Sequence, residues 1–186
     1  MNIKKIISIC KQTKTLRLLD ADGEQWISDG YACYPLFGLP IFDEETICKA
    51  YDITEKQASS MHIMRDRAEN ITALNFAQID ENEKPCFYGE ALFGGSYGLI
   101  PITTDHGIEF IDGKYLLPIA DNSDDMRYIF ERTSENGTRY FAVKHGLILV
   151  ALIMPVNCVN ETFVERLRHI VAECEKTLAK KTEAGK

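Results

Sequence analysis

The chain has no long hydrophobic run, no Cys-x-x-Cys pair, one tryptophan and six prolines in 186 residues. Its longest apolar stretch, residues 147–154, spans eight positions, against the roughly 20 that a helix needs to cross a bilayer. No membrane association is therefore expected. Lys4 and Lys5 precede an apolar stretch, but Ile6-Ile7-Ser8-Ile9-Cys10 is too short for a secretory signal core and has no small-residue cleavage site. Without export the six scattered cysteines stay reduced, and a cytoplasmic protein is expected. Their spacing fits neither a zinc ribbon nor a thioredoxin-like site.

Other chemistries lack their signatures. The serines have no Gly-x-Ser-x-Gly elbow. Gly94-Gly95-Ser96-Tyr97-Gly98 lacks the Walker lysine and precedes a strand, so no helix N-terminus would meet a phosphate. Asp121-Asn122-Ser123-Asp124-Asp125 lacks the ligand order of an EF-hand. His62, His106, His145 and His169 have no second ligand at helical spacing, and His106 and His145 each precede a turn glycine. No cofactor, metal site or catalytic residue is assigned.

What is present is an ordinary globular composition, 45% hydrophobic and 26% charged. A chain of this length can bury roughly 70% of the surface its unfolded form exposes. The net charge is −7, from 28 acidic and 21 basic side chains, but it is unevenly distributed. Residues 1–19 contain Lys4, Lys5, Lys11, Lys14 and Arg17 and no acid, so the remainder carries −12.

Hydrophobic alternation and turn residues predict strands over 2–10 and 14–20 around the polar turn Lys11-Gln12-Thr13. A tight turn at Asp22-Gly23 and another at Asp29-Gly30 follow. Pro35 to Pro40 reads as an apolar loop. Asp43 caps one helix, and Thr54 and Gln57 stand at capping-box spacing for another. Residues 71–79 read as strand, and the acidic segment 79–85 as a loop between two halves. Strands are expected at 86–93, 97–103, 108–111, 115–119, 127–133 and 138–144, with Asn136-Gly137 as the strongest hairpin turn. Residues 147–154 should form a central strand. Behind Asn160, seven apolar residues from Phe163 to Leu178 fall within about 120° on a helix.

The pattern predicts an α+β domain with a mostly antiparallel sheet, few helices and a C-terminal amphipathic helix. It is read as one domain over 1–186, with structural halves 1–79 and 86–178 and a disordered tail, 179–186.

Three stretches carry a resemblance: Asp20-Ala21-Asp22-Gly23-Glu24-Gln25-Trp26-Ile27-Ser28-Asp29-Gly30, the run from Ile111 to Asp121, and the run from Tyr140 to Pro155. They look like small uncharacterised proteins encoded on bacterial prophages and other mobile elements. The strands-then-helix order of each half is also loosely similar to the building unit of DNA sliding clamps, whose helices line a basic channel and whose ring closes through sheet edges. The resemblance implies an accessory binding protein acting in DNA replication or maintenance, with no functional residue carried over.

The expected contact surface is an N-terminal hairpin presenting Lys4, Lys5, Lys11, Lys14 and Arg17 to a protein partner or to nucleic acid. Lysine on an edge strand also serves as ordinary protection against edge pairing. Self-association through sheet edges is a further expectation. Two alternatives stand beside it. One is a cysteine- or metal-dependent hydrolase, with Cys86 or Cys158 beside a histidine in a cleft. The other is a structural or inhibitory protein that grips a host partner around Trp26 and the Pro35–Pro40 loop, which would require an exposed apolar patch there.

Overall fold

Turn chemistry decides where the first strands fall. Asp22 and Gly23 both take positive φ, 50° and 77°, as the two-residue Asp-Gly hairpin turn requires. They join β1 (Thr15–Ala21) to β2 (Glu24–Ser28), and Asp29 to Tyr31 lead into β3 (Ala32–Pro35). Asp29 builds that second turn by accepting from the amides of Tyr31 and Ala32, both at 2.9 Å. The computed structural model describes residues 1–91, 98–120 and 127–184. The expected acidic cluster at 121–125, residues 94–97 of the glycine loop and the last two residues of the tail lie outside them.

The other elements, in chain order, are α1 (Ile3–Thr13), α2 (Glu44–Ala50), α3 (Glu55–Ala58), β4 (His62–Arg67), β5 (Lys84–Tyr88), β6 (Leu99–Thr104) and β7 (Gly107–Asp112). A 3-10 helix (Gly113–Ile119), β8 (Arg127–Thr133), β9 (Arg139–His145), β10 (Ile148–Ile153) and α4 (Glu161–Ala184) complete the chain. Among the described residues the strands form one sheet in the order β4-β1-β2-β3-β10-β9-β8-β5-β6-β7. Only the β1–β4 pair is parallel. The fold is thus α+β with a mostly antiparallel sheet, as the alternation predicted. The run at 147–154 supplies β10, which sits between β3 and β9 at the centre of the sheet.

The chain divides into two compact units, Met1–Val156 and Asn157–Lys186. In the first unit the central strands of the sheet are covered on both faces. One face packs Leu16, Leu18, Ile27, Tyr34, Phe141 and Ile153 against Ile6, Ile7, Ile9 and Cys10 of α1 and Ile47 of α2. Asp43 and Thr46 form the predicted capping box at the start of α2, and Thr54 and Gln57 form the next at α3. The opposite face packs Leu19, Trp26, Cys33, Tyr140 and Leu152 against Phe76, Ile71 and Leu74. Trp26 is 1% exposed and meets Phe76 edge to face at 4.9 Å between centroids.

The segment that covers this second face has no regular structure between a short 3-10 turn, Ala68–Asn70, and β5. Three contacts between its polar groups and the sheet hold it. The Asn75 amide donates to Tyr140 Oη, the Leu149 amide donates to Gln78 Oε1, and the Arg132 guanidinium donates to the carbonyls of Asn75, Ala77 and Gln78. Arg132 is 1% exposed and also pairs with Glu83 at 2.7 Å. Glu83 binds the buried Lys144 through its other oxygen, and the Lys144 ammonium lies 4.8 Å from the Phe130 ring centre.

Four sequence expectations are corrected. Residues 2–10 are not a strand but most of α1, so there is no N-terminal hairpin. Ile3, Ile6, Ile7 and Cys10 recur at i, i+3, i+4 and i+7, and Asn2 caps the helix by accepting from the Lys5 amide at 3.1 Å. Residues 71–79 form the irregular cover just described, and the strand of that region is β4, earlier in the chain. Residues 115–119 belong to the 3-10 helix. There Asp112 accepts from the Lys114 amide, and Pro118, which has no amide to give to a ladder, closes the turn. In the second unit α4 runs through Ala184, so the tail read as disordered is helical up to that residue.

Replacing Glu83 by Gln would leave two buried cations without their shared charge. Breaking such a pair from one side costs about 3 kcal/mol or more. Denaturant melts should show Glu83→Gln destabilised by about that amount, whereas an unchanged midpoint would mean the network contributes nothing.

Candidate functional site

The five cations expected to act together are separated by the fold. Ile6, Ile7, Ile9 and Cys10 turn one side of α1 to the core. At about 100° per residue, Lys4, Lys5, Ser8, Lys11 and Gln12 then share an arc of about 120° on the other side. Lys4 and Lys5 are exposed, and Lys11 is partly so. Lys14 is exposed in the left-handed position that ends α1, with φ 57°. Lys4 and Lys11 are two turns apart, about 10 Å along the axis. Arg17 lies elsewhere. Strand residues alternate between faces, and Leu16 and Leu18 point to the α1 side, so Arg17 and Leu19 belong to the opposite face.

Among the described residues none of the four lysines makes an ion pair, although nine other cations do. The Lys5 ammonium donates to the Leu117 carbonyl at 3.3 Å and the Lys11 ammonium to the Asp52 carbonyl at 3.4 Å. Both contacts are with neutral groups, so the charges stay uncompensated. The helix signal at Asn2 and the period-3.6 isoleucines could have placed these lysines correctly from sequence. The placement of the half-buried Arg17 on the other face needed the sheet order.

Among the described residues neither Cys86 nor Cys158 is hydrogen-bonded to a histidine. Cys86 Sγ donates to the Lys84 carbonyl at 3.5 Å, and burial raises its thiol above the ordinary range. Burial raises Cys158 as well. The thiolate is the reactive form, so both shifts run against nucleophilic use. His62 contacts Met64 Sδ at 3.1 Å. Among the described residues no group of three His, Cys, Asp or Glu side chains is placed to hold a metal ion.

The Pro35–Pro40 region is divided. Leu36 and Trp26 are both buried, in the cores on opposite faces of the sheet, whereas Phe37, Leu39 and Ile41 are exposed. No helix among the described residues is long and apolar enough to cross a membrane. Compared with family models, curated proteins and solved structures, the chain matches none.

All six cysteines are free. Burial, with a smaller contribution from the charge of Asp29, raises the Cys10 thiol far above its usual value; burial also pushes Cys33 up to about 11. A thiol raised in the folded state stabilises fully below its unfolded value of 9.0 and ceases to do so as pH climbs through about 11. Mass-spectrometric mapping of alkylation at mildly alkaline pH should find Cys174 modified in the native protein. Cys10 and Cys33 should react only after unfolding. Rapid native modification of Cys33 would contradict its burial.

Proposed function

We propose that this chain is a non-enzymatic accessory protein of a mobile element that docks on DNA through the lysine side of α1. The observation that carries the reading is four lysines clustered on one helix and its cap, none in an ion pair among the described residues, in a protein whose remaining residues are strongly acidic. An acid-rich chain has abundant partners with which to neutralise such a patch. Leaving it open preserves a local positive field that attracts phosphates despite the negative total charge. The stretches that look like prophage proteins supply the setting, DNA replication or maintenance. The similarity to clamp units read in the strands-then-helix order would suit a helix facing DNA, but it fixes no function.

Four phosphate contacts set the salt response. Each neutralised phosphate releases condensed counterions, giving a slope of about −0.9 per contact in log affinity against log salt, or about −3.6 for four. Fluorescence anisotropy with a labelled duplex should return that slope. Replacing Lys4, Lys5, Lys11 and Lys14 together by Gln should abolish binding, while Arg17→Gln should leave it unchanged. A flat salt dependence, or full binding by the quadruple variant, would overturn the reading. Binding to an acidic protein with none to DNA would also overturn it.

A further inference from the structure

We infer that the cleft around Arg17, on the face away from α1, is a binding site for a small organic monoanion, a carboxylate with an apolar body. The cleft has a volume of about 270 Å³, just below the roughly 300 to 1,000 Å³ of drug-sized ligand pockets and so sized for a small molecule. Its floor comes from β1, β2 and β3 and one wall from the cover segment at residues 71–74. Its lining includes Arg17 and no carboxylate, in a chain with 28 acidic residues.

The Arg17 side chain makes no hydrogen bond or ion pair among the described residues, and its Nε is buried without an acceptor. A partly desolvated guanidinium in that state is costly unless an anion completes it. The carboxylate nearest in register cannot do so. Arg17 pairs in the ladder with Ser28, and the adjacent Asp29 spends both oxygens on the Tyr31 and Ala32 amides and on Tyr115 Oη, which donates at 3.0 Å.

The rest of the lining defines the ligand. Asn136 and Thr138 add side chains that can donate to an anion. Leu19, Leu74 and Met154 provide apolar wall. One cation favours a single negative charge, and the guanidinium fork matches a carboxylate in bidentate fashion. A phosphate dianion would leave charge unmatched and would gain nothing from the apolar side.

Benzoate serves as the probe, with benzamide and inorganic phosphate as comparisons. Benzoate should shift the Arg17 Nε–H and the Gly30 and Thr138 amides saturably in NMR titrations of the full chain. It should also alter the fluorescence of Trp26, whose ladder partner Leu19 lines the cleft. Benzamide and phosphate should bind at least about tenfold more weakly, the value of a charge-assisted hydrogen bond. Arg17→Met should weaken benzoate by a similar factor while keeping the wild-type amide spectrum elsewhere. No saturable shift in the wild type, equal binding of benzamide, or shifts confined to the α1 lysines would each overturn the assignment. The wild-type titration decides the matter even if the variant fails to fold.

An independent observation concerns α4. Val164, Leu167, Val171, Cys174 and Leu178 follow the alternating three- and four-residue spacing of a coiled-coil seam. Val171 is 54% and Leu178 64% exposed. The geometry points to a second copy of α4 as their cover, packed antiparallel. Arg168 and Glu175 occupy the same edge of the seam, one heptad apart. Antiparallel packing with Val171 opposite Cys174 and Leu167 opposite Leu178 sets Arg168 of each copy against Glu175 of the other. Parallel packing provides no such ion pair and stacks Cys174 on Cys174. The sheet edges are less suited to self-association. β4 carries Arg65, Asp66 and Arg67, and Val156 already bridges to Phe110 in β7.

Light scattering on the full chain should give a dimer, and Val171→Glu should give a folded monomer. Arg168→Glu should weaken the dimer, and adding Glu175→Arg should restore it. Oxidation should link the copies in Val171→Cys between residues 171 and 174. A wild-type monomer, or a Cys174–Cys174 disulfide as the dominant oxidised species, would contradict the antiparallel seam.

Discussion

Glu83 is the pivot of the first unit. Its two carboxylate oxygens are divided between Arg132 and Lys144, two cations that the sheet buries on the same face. Neither cation is stable there without it, because a buried charge without a partner costs several kcal/mol. The arrangement fixes more than itself. Arg132 spends its other donors on the carbonyls of residues 75, 77 and 78. A segment with no ladder of its own therefore gains satisfied polar groups and can lie on an apolar sheet face. With that cover in place Trp26 and Phe76 are dry, and the central strands are buried on both sides.

The same cover divides the cations into two roles. On the α1 face the isoleucines and Cys10 are the packing surface, and the lysines are left pointing outward without carboxylates. On the other face the cover forms a wall beside Arg17, which becomes part of a small acid-free cleft. One run of basic residues is thus divided between two separate surfaces, an open helix side and a small cleft. The division follows from strand alternation: moving one residue along β1 changes the face.

Much of the architecture was legible because local chemistry and tertiary packing agreed. Asp22-Gly23 and Asn136-Gly137 supply the positive φ that their hairpins need, and Asp43 and Thr54 cap the helices they precede. The central placement of β10 followed from its unbroken apolar run. Two segments misled for physical reasons. The β-branched Ile6, Ile7 and Ile9 favour strand locally, yet the cap at Asn2 and packing on the sheet select helix. Residues 71–79 look like a strand because Ile71, Leu74 and Phe76 are apolar. They are apolar because they cover a sheet, and Arg132 and Tyr140, far away in sequence, take their backbone groups. No local pattern encodes that exchange, nor the face on which Arg17 emerges. Of the candidate site, residue types were readable from the start, whereas their grouping needed the sheet order.

Hydrogen exchange on the native protein is the most direct test of the claim that a buried ion network turns an irregular segment into a fixed part of the core. The Asn75 amide is bonded to Tyr140 Oη and the Leu149 amide to Gln78 Oε1. If the account holds, both exchange only through opening on the scale of global unfolding, together with the amides of β9 and β10. Exchange of Asn75 at the rate of an exposed loop, with β9 still protected, would contradict it.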